Sequence, residues 1–358
     1  MVIENKIEII NKVKINIDST IKEALKQLNS AGEKCLVVVD NSNKFLATLS
    51  DGDVRKAILK GKNIGDPIKS VINTNPTFLI EGEYSDSDIK KLFIKNKFDL
   101  IPVLNNSHNI IKIFFWEKIF GDNGNGSNKK LDVPVVIMAG GRGIRMEPFT
   151  NVLPKPLVPV QDKPIIEHII DRFIDIGCND FYLTINYKGR ILKAYFDEKD
   201  ANYIINFVEE QEPLGTAGSL KFLDKKFKQP FFVTNCDIIV KVDYSSVYEF
   251  HLKGSYDVTL IASAKEYIIP YGTCELNNHG HLSHINEKPK YDFLINTGLY
   301  VLNPSILELI PKNKFFHITH LIEKAKDNGK KVGVFPIDED AWIDVGQWTE
   351  YKKTIDKL

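Results

Sequence analysis

The chain has 358 residues, 43% of them hydrophobic, which is enough to bury two cores and argues against a disordered chain. Forty-seven basic residues balance forty-seven acidic ones, so no net field favours nucleic acid or an anionic membrane, and any phosphate chemistry must rest on local charge around a small molecule. No apolar run approaches the roughly 20 residues of a membrane span, and the opening MVIENKIEIINKVKI lacks a small-residue cleavage site, which predicts a cytoplasmic protein.

In chain order, residues 18–31 read as an amphipathic helix, Leu36 to Val39 as a buried strand, Asp40 to Asn43 as a turn, Phe45 to Leu49 as a strand and Asp51 to Leu59 as a helix. The pattern then returns, with a helix over Ser85 to Lys95, strands over Leu100 to Leu104 and Ile110 to Phe114, and a helix from Trp116 to Phe120. Neither unit is large enough to close its own core, so the two are expected to stack. GDNGNGSNKK, residues 121–130, has nothing to bury and reads as a linker, dividing residues 1–120 from 132–358 with 121–131 between them.

Beyond it, strands over Val133 to Ala139, Asp180 to Asn186, Tyr203 to Val208 and Phe231 to Asn235 alternate with helices over Pro164 to Ile176 and Gly189 to Phe196. This predicts an α/β domain with a mainly parallel, Rossmann-like sheet covered on both faces, its site at the carboxyl ends of the strands. Cys35, Cys178, Cys236 and Cys274 form no CxxC pair and read as reduced, mainly buried thiols.

The first two repeats, with LATLSDGDVRKAIL in the first copy, resemble paired cystathionine-β-synthase (CBS) domains, α/β modules that bind adenine nucleotides or hold protomers together as a homo-oligomer. In that family a Ser or Thr and an Asp three residues on meet the ligand, which implies Ser50 and Asp53 here; Phe115 and Lys118 stand at the corresponding places in the second copy. Asp51 or Asp53 reads equally well as a helix cap.

The strongest chemical signal is VVIMAGGRGIRMEPFTNVLPKPLVPV, residues 135–160. Ala139, Gly140, Gly141 and Gly143 let the backbone turn sharply and offer N–H groups to a polyphosphate. Arg145 can grip two phosphate oxygens while Lys155 acts as a mobile point charge. Met146 stands where a Rossmann fingerprint needs its third glycine, and Walker A needs Gly-Lys-Ser/Thr, so neither commoner phosphate loop fits. The run resembles the signature GGxGxRxxPxT followed by PKPLxPV of the sugar-1-phosphate nucleotidyltransferases, with Ile144 where many members have Thr, and the likeness extends over residues 133–358.

The resemblance implies roles for the remaining segments. EEQEPLGTAGSL, residues 209–220, would line the base and ribose pocket with Gly215 and Thr216, although alone it reads as a helix cap with its lead-in. Asp237 ends an apolar strand and Asp344 lies in WIDVGQW; the family uses aspartates in these contexts to hold magnesium, completed by phosphate oxygens and water. Gly272, Glu287, Lys288 and Asn296 would form the sugar half.

The expected reaction joins an NTP, with GTP favoured, to a sugar 1-phosphate and releases pyrophosphate, with Arg145, Lys155 and Asp237 catalytic. CBS repeats fused to such a domain resemble the guanylyltransferases of nonulosonic acid synthesis, which act on glucosamine 1-phosphate. The alternatives are uridylyl transfer to a glucose- or glucosamine-type phosphate, and a nucleotide-sensing subunit without catalysis. His279, His281 and His284 flank an expected hairpin turn at Asn277 to Gly280, which argues against a zinc cage.

Overall fold

In the computed structural model the described residues are 6–96, 98–120, 130–346 and 351. The chain separates into two compact units, one gathering the described residues of 1–126 with 263–295 and 336–340, the other those of 127–262, 296–335 and 341–358. Most of the expected linker, 121–129, lies outside the described residues.

The first unit begins with α1 (Lys6–Val13), β1 (Lys14–Asn16), α2 (Ile21–Ala31), β2 (Cys35–Val39), β3 (Phe45–Ser50) and α3 (Asp51–Leu59). It continues with β4 (Leu79–Ile80), α4 (Asp86–Asn96), β5 (Leu100–Leu104), β6 (Ile110–Phe115) and α5 (Trp116–Phe120). The repeat is visible in the pairing: β1 joins β2 in parallel and β2 joins β3 antiparallel, and β4, β5 and β6 reproduce this order. Periodicity did not disclose β1 and β4, which at three and two residues are too short to show an alternation.

Local chemistry sets the helix starts. Thr20 and Glu23 form a capping box on α2, and Ser50 and Asp53 form another on α3, each satisfying two otherwise orphan N–H groups and contributing about 1 kcal/mol. The repeats share one core, in which Leu36, Val37, Leu49 and Val54 of the first copy pack with Leu100, Leu104 and Phe115 of the second. Ala264, from far along the chain, is buried in the same core.

The second unit holds β7 (Val135–Met138), the short pair β8 (Pro159–Val160) and β9 (Lys163–Pro164), α6 (Ile165–Ile174), β10 (Asp180–Ile185), α7 (Gly189–Asp197) and β11 (Ile204–Glu209). After these come β12 (Phe231–Asn235), β13 (Ile238–Val240), α8 (Tyr244–Gly254) and β14 (Val258–Ile268). The hairpin strands β15 (Thr273–Leu276) and β16 (Leu282–Asn286) belong to the first unit, and along the chain they are followed by β17 (Lys290–Leu302), α9 (Ile318–Asp327), β18 (Val332–Asp338) and β19 (Trp342–Asp344).

The main sheet has the order β11-β10-β7-β12-β17-β14-β18; the first four strands are mutually parallel and β17 joins β12 antiparallel. Both faces are covered, which is why β7 is apolar throughout and β10 and β12 are buried along all but one residue. One face carries Ala217, Leu220, Ile306, Leu307 and Leu321. On the other, Phe173 of α6 stacks on Tyr244 of α8 with ring centroids 4.6 Å apart and meets Phe181 and Phe232 at their edges or tilted. The mixed α/β, mostly parallel sheet expected from sequence is therefore present.

Burial pushes the thiols of Cys35, Cys178 and Cys236 up to about 12, whereas Cys274 is exposed on β15. Among the described residues, no helix is long and apolar enough to cross a membrane.

Candidate functional site

Strand register assembles one edge of the second unit. Thr184 of β10 and Asn235 of β12 lie opposite Met138 of β7, and Glu209 of β11 lies opposite Ile185. The residues just past these strands, 139–143, Asn186, Glu210 and Cys236–Asp237, consequently emerge together. This is the carboxyl-end crevice of a parallel sheet.

Ala139 is anchored by its N–H to Thr184 O at 2.9 Å. Gly143 has φ +71°, and a Cβ there would come within 2.8 Å of Thr150 Cγ2 and 3.1 Å of Lys155 Cβ, so the turn needs glycine for backbone and space alike. The N–H groups of 140–143 make no hydrogen bond to a described residue, which leaves them for oxygens of a ligand. Arg145 follows, exposed, on a one-turn helix that Met146 anchors by its burial.

The two expected metal carboxylates are brought together by β13 and β19. These strands pair antiparallel with Ile238 opposite Asp344, and Val345 donates its N–H to Asp237 O at 2.8 Å. Lys155 Nζ donates to Asp237 Oδ2, both side chains being about nine-tenths buried. The three groups converge on Gly346, where a Cβ would clash with Asp237 Oδ2 and lie 2.8 Å from Asp344 Oδ1 and 3.0 Å from Lys155 Nζ. Burial raises the Asp344 carboxyl above its usual range; Asp237 raises it further, while the Gly346 N–H, Lys155 and Arg145 act the other way.

A divalent cation fits this donor set. Lys155 occupies one oxygen of Asp237, and the Gly346 N–H occupies one of Asp344 at 2.7 Å, leaving one oxygen on each. Among the described residues no group of three or more His, Cys, Asp or Glu could hold a metal, so the remaining ligands would have to come from substrate and water.

Gly215 and Thr216 are placed by packing. Gly215 has φ +77°, and a Cβ there would lie 2.8 Å from Phe316 O. Thr216 Oγ1 accepts the Ile318 N–H at 2.9 Å, capping α9 from another segment. Its hydroxyl therefore serves a helix end, as the capping alternative allowed, although the helix is not its own.

Sequence reasoning passed over Glu210. It is 8% exposed, accepts the Leu214 N–H at 3.1 Å, and its carboxylate is 3.2–3.4 Å from where a Cβ on Gly140 would stand. Burial raises its pKa. A pocket of roughly 330 Å³ beside it is lined by Asn186, Lys188 and Arg190. The signal was available: like Asp237, Glu210 is a carboxylate just past a strand end, where burial is costly without a partner.

Of the expected sugar residues, Asn296 lies in the second unit, with its side chain bonded to Tyr300 Oη at 2.7 Å and to the Gly298 N–H at 3.1 Å. The others belong to the first unit. There a Cβ on Gly272 would lie 3.0 Å from Glu287 Oε2, Lys288 has φ +46°, and Ile269 N–H bonds Pro289 O, so the two flanks of the hairpin run side by side. The turn between β15 and β16 falls at Asn277–Gly280 as expected, with His279, His281 and His284 exposed.

In the first repeat, Ser50 Oγ donates to Asp53 Oδ2 at 2.6 Å, and each residue's N–H bonds the other's side chain at 3.1 Å. A ligand there would have to compete with the cap.

Comparison with known proteins adds to this geometry. The nucleotidyl transferase family profile matches residues 134–358, and the CBS domain profile matches residues 7–60. Mannose-1-phosphate guanyltransferase 2 of Candida glabrata is 36% identical over 224 residues, covering 59% of this chain and 61% of that protein. The mannose-1-phosphate guanyltransferase of Saccharomyces cerevisiae is 35% identical over 230 residues, with 59% and 61% covered. The chain thus spans about three fifths of the length of the curated relatives it matches. The crystal structure of HddC from Yersinia pseudotuberculosis complexed with GMP-PN aligns with a TM-score of 0.50 and 26% identity, over 63% of this chain and 99% of that one. With the profile spanning the glycine turn, Lys155, Asp237 and Asp344, the chain belongs to the nucleotidyl transferase family, and its N-terminal region contains a CBS domain.

Proposed function

We propose that the protein transfers a guanylyl group from GTP to a sugar 1-phosphate, forming a GDP-sugar and pyrophosphate. The observation that carries this reading is the convergence of Lys155, Asp237 and Asp344 on Gly346, in the same unit as a glycine turn whose N–H groups have no described protein partner. Cation, carboxylates and open N–H groups together suit a triphosphate undergoing attack at its α-phosphorus.

In this reading the N–H groups of 140–143 and the side chains of Arg145 and Lys155 hold the triphosphate and offset charge developing on pyrophosphate. Asp237 and Asp344 would hold magnesium, whose contribution when bound is to neutralise phosphate charge. A nearby cation also favours ionised Asp344 against the burial that raises its pKa. Lys288 meets the sugar phosphate and Glu287 accepts from sugar hydroxyls. No general base is needed, because a phosphate monoester is already ionised at neutral pH.

Guanine is favoured by the relatives named guanyltransferases and by the GMP-PN held by HddC. Glu210 supports the same choice: with the Leu214 N–H on Oε2, Oε1 and the second lone pair of Oε2 remain to accept from guanine's N1–H and N2–H, which stand side by side, whereas uracil and thymine offer one N–H between two carbonyls. For the sugar, the fusion to CBS repeats supports glucosamine 1-phosphate, as in GDP-glucosamine formation for nonulosonic acids. Mannose 1-phosphate is the second reading, supported by the relatives' names.

We further propose residues 1–120 as a CBS pair, able to take an adenine nucleotide and to join protomers, and residues 132–358 as the catalytic part of a cytoplasmic enzyme. The test is pyrophosphate release with magnesium, with each of GTP, UTP, dTTP, CTP and ATP against glucosamine, N-acetylglucosamine, mannose and glucose 1-phosphates. Release confined to GTP and one sugar phosphate is expected. Preference for UTP would replace the guanylyl reading, and silence across the panel from folded protein would favour a nucleotide-sensing subunit.

A further inference from the structure

The first repeat reaches the chain on both sides of the hairpin that carries Gly272, Glu287 and Lys288. On the entering side, Ala264 of β14 is buried in the core of the repeat, and Glu266 faces Lys22 at 3.9 Å. On the leaving side, the Gly65 N–H donates to Asp292 Oδ2 at 3.0 Å. Gly65 is itself held in place: the flanking carbonyls of Ile64 and Asp66 accept the first N–H groups of α2, from Lys22 at 2.8 Å and Ile21 at 2.9 Å, and Ile64 is in the core. These contacts all lie within the first compact unit.

Magnitudes decide which contacts matter. Lys22 and Glu266 are at the limit of an ion pair, and Lys26–Asp340, at 2.8 Å, is half exposed or more on both sides, so neither contributes much in water. The Gly65–Asp292 bond is different. Asp292 is half-buried, with Oδ1 buried and without a hydrogen-bond partner while Oδ2 takes the Gly65 N–H, so the bond to the repeat sets the direction of the carboxylate.

We infer that Asp292, held by the Gly65 amide, is a positioning residue through which the first CBS repeat fixes the acceptor-binding hairpin. The inference rests on the proposed sugar-phosphate reading of Glu287 and Lys288. It makes the repeat a structural part of the acceptor side, and any ligand that moves residues 64–66 would be felt at Lys288, four residues before Asp292 in the chain.

The experiment compares full-length wild type with Asp292→Ala, Asp292→Asn and Gly65→Val. The valine crowds the same bond from the CBS side, since a Cβ on Gly65 would already stand 3.1 Å from Asp292 Oδ2. The expected result is an acceptor KM about five- to tenfold higher for the alanine and valine variants, with kcat and the KM for GTP within about twofold. Asparagine, which keeps an acceptor, should restore most of the loss. Hydrogen exchange of the amides in 271–290 should quicken in the same two variants. Unchanged acceptor KM and unchanged exchange would overturn the inference, as would a parallel rise in both KM values with a fallen melting temperature. If wild type turns over no sugar phosphate, the proposed function fails, and the exchange measurement alone still decides whether Asp292 holds the hairpin.

Discussion

Asp237→Asn isolates the charge of the proposed cation site at nearly constant shape. Truncation to alanine would strand the Lys155 ammonium, which is 12% exposed, and leaving a buried charge unpaired costs about 3–5 kcal/mol. Asparagine still accepts from Lys155, so the loss is the difference between a charge-assisted and a neutral hydrogen bond, on the order of 1–1.5 kcal/mol. Relief of repulsion against Asp344 offsets part of it. For a domain of this size about 1 kcal/mol moves the melting temperature by roughly 2–4 °C, so a fall of no more than about 5 °C is expected. Turnover should respond far more, because an electrostatic group acting on the transferring phosphate is typically worth about 10²–10³ in kcat. The assay is pyrophosphate release at saturating GTP and sugar phosphate over a magnesium titration, beside a melting curve. Retention of more than about a tenth of wild-type kcat by a folded variant would refute the assignment of Asp237 to the cation.

Glu210→Gln keeps volume but replaces one acceptor oxygen with a donor, so the KM for GTP should rise about tenfold or more relative to UTP, and an unchanged nucleotide preference would remove Glu210 from base reading. Gly215→Ala combines a φ of +77° with a Cβ 2.8 Å from Phe316 O, and should cost at least about 1–2 kcal/mol by thermal or denaturant melting; a neutral result would contradict the packing of that loop. His251 is 1% exposed, between Thr259 Oγ1 at 2.9 Å and Asn303 Oδ1 at 3.2 Å, and burial lowers its pKa. Because the unfolded chain then takes up the proton more readily, this contribution to stability is full above the unfolded value near 6.5 and is lost as pH falls through the folded value. Melting temperature should therefore drop between pH 7 and 5, with a shallower drop in His251→Gln; equal slopes would exclude His251 as a source.

Local chemistry was the legible part. The start of the helix over Asp51–Leu59 is legible in its polar cluster, although Ser50 rather than Asp51 or Asp53 is the cap and Asp53 closes the box from the third position, and the strands at Leu100–Leu104 and Phe231–Asn235 are legible from their apolar residues. The glycine turn could be read because Gly143 has to leave the ordinary backbone region. Long-range packing was not legible. Nothing in the composition around Ala264 announces that it enters the core of the first repeat, so one linker at 121–131 gives no hint that residues 263–295 cluster with that repeat. Thr216 misled in an instructive way: a hydroxyl at the start of an expected helix suggests a cap of that helix, but which helix it caps depends on where residues 316–318 arrive.

The pairing of β13 with β19 shows why the candidate site needed coordinates even though its residues had been named. Asp237 and Asp344 each look like an ordinary turn or cap residue, and only the three-residue antiparallel match of Ile238 with Asp344 makes them neighbours. A slip of one residue in that match would turn the side chains of β19 to the opposite face and carry Asp344 away from Asp237. Register is held by Val345 N–H on Asp237 O and by the buried side chains of Ile239 and Ile343, which face each other in the pairing. The glycine at 346 completes the arrangement, since any side chain there would fill the space in which Lys155 and the two carboxylates meet. The chemistry is therefore specified twice: by three charged residues, and by the small and apolar residues around them that leave those charges one place to converge.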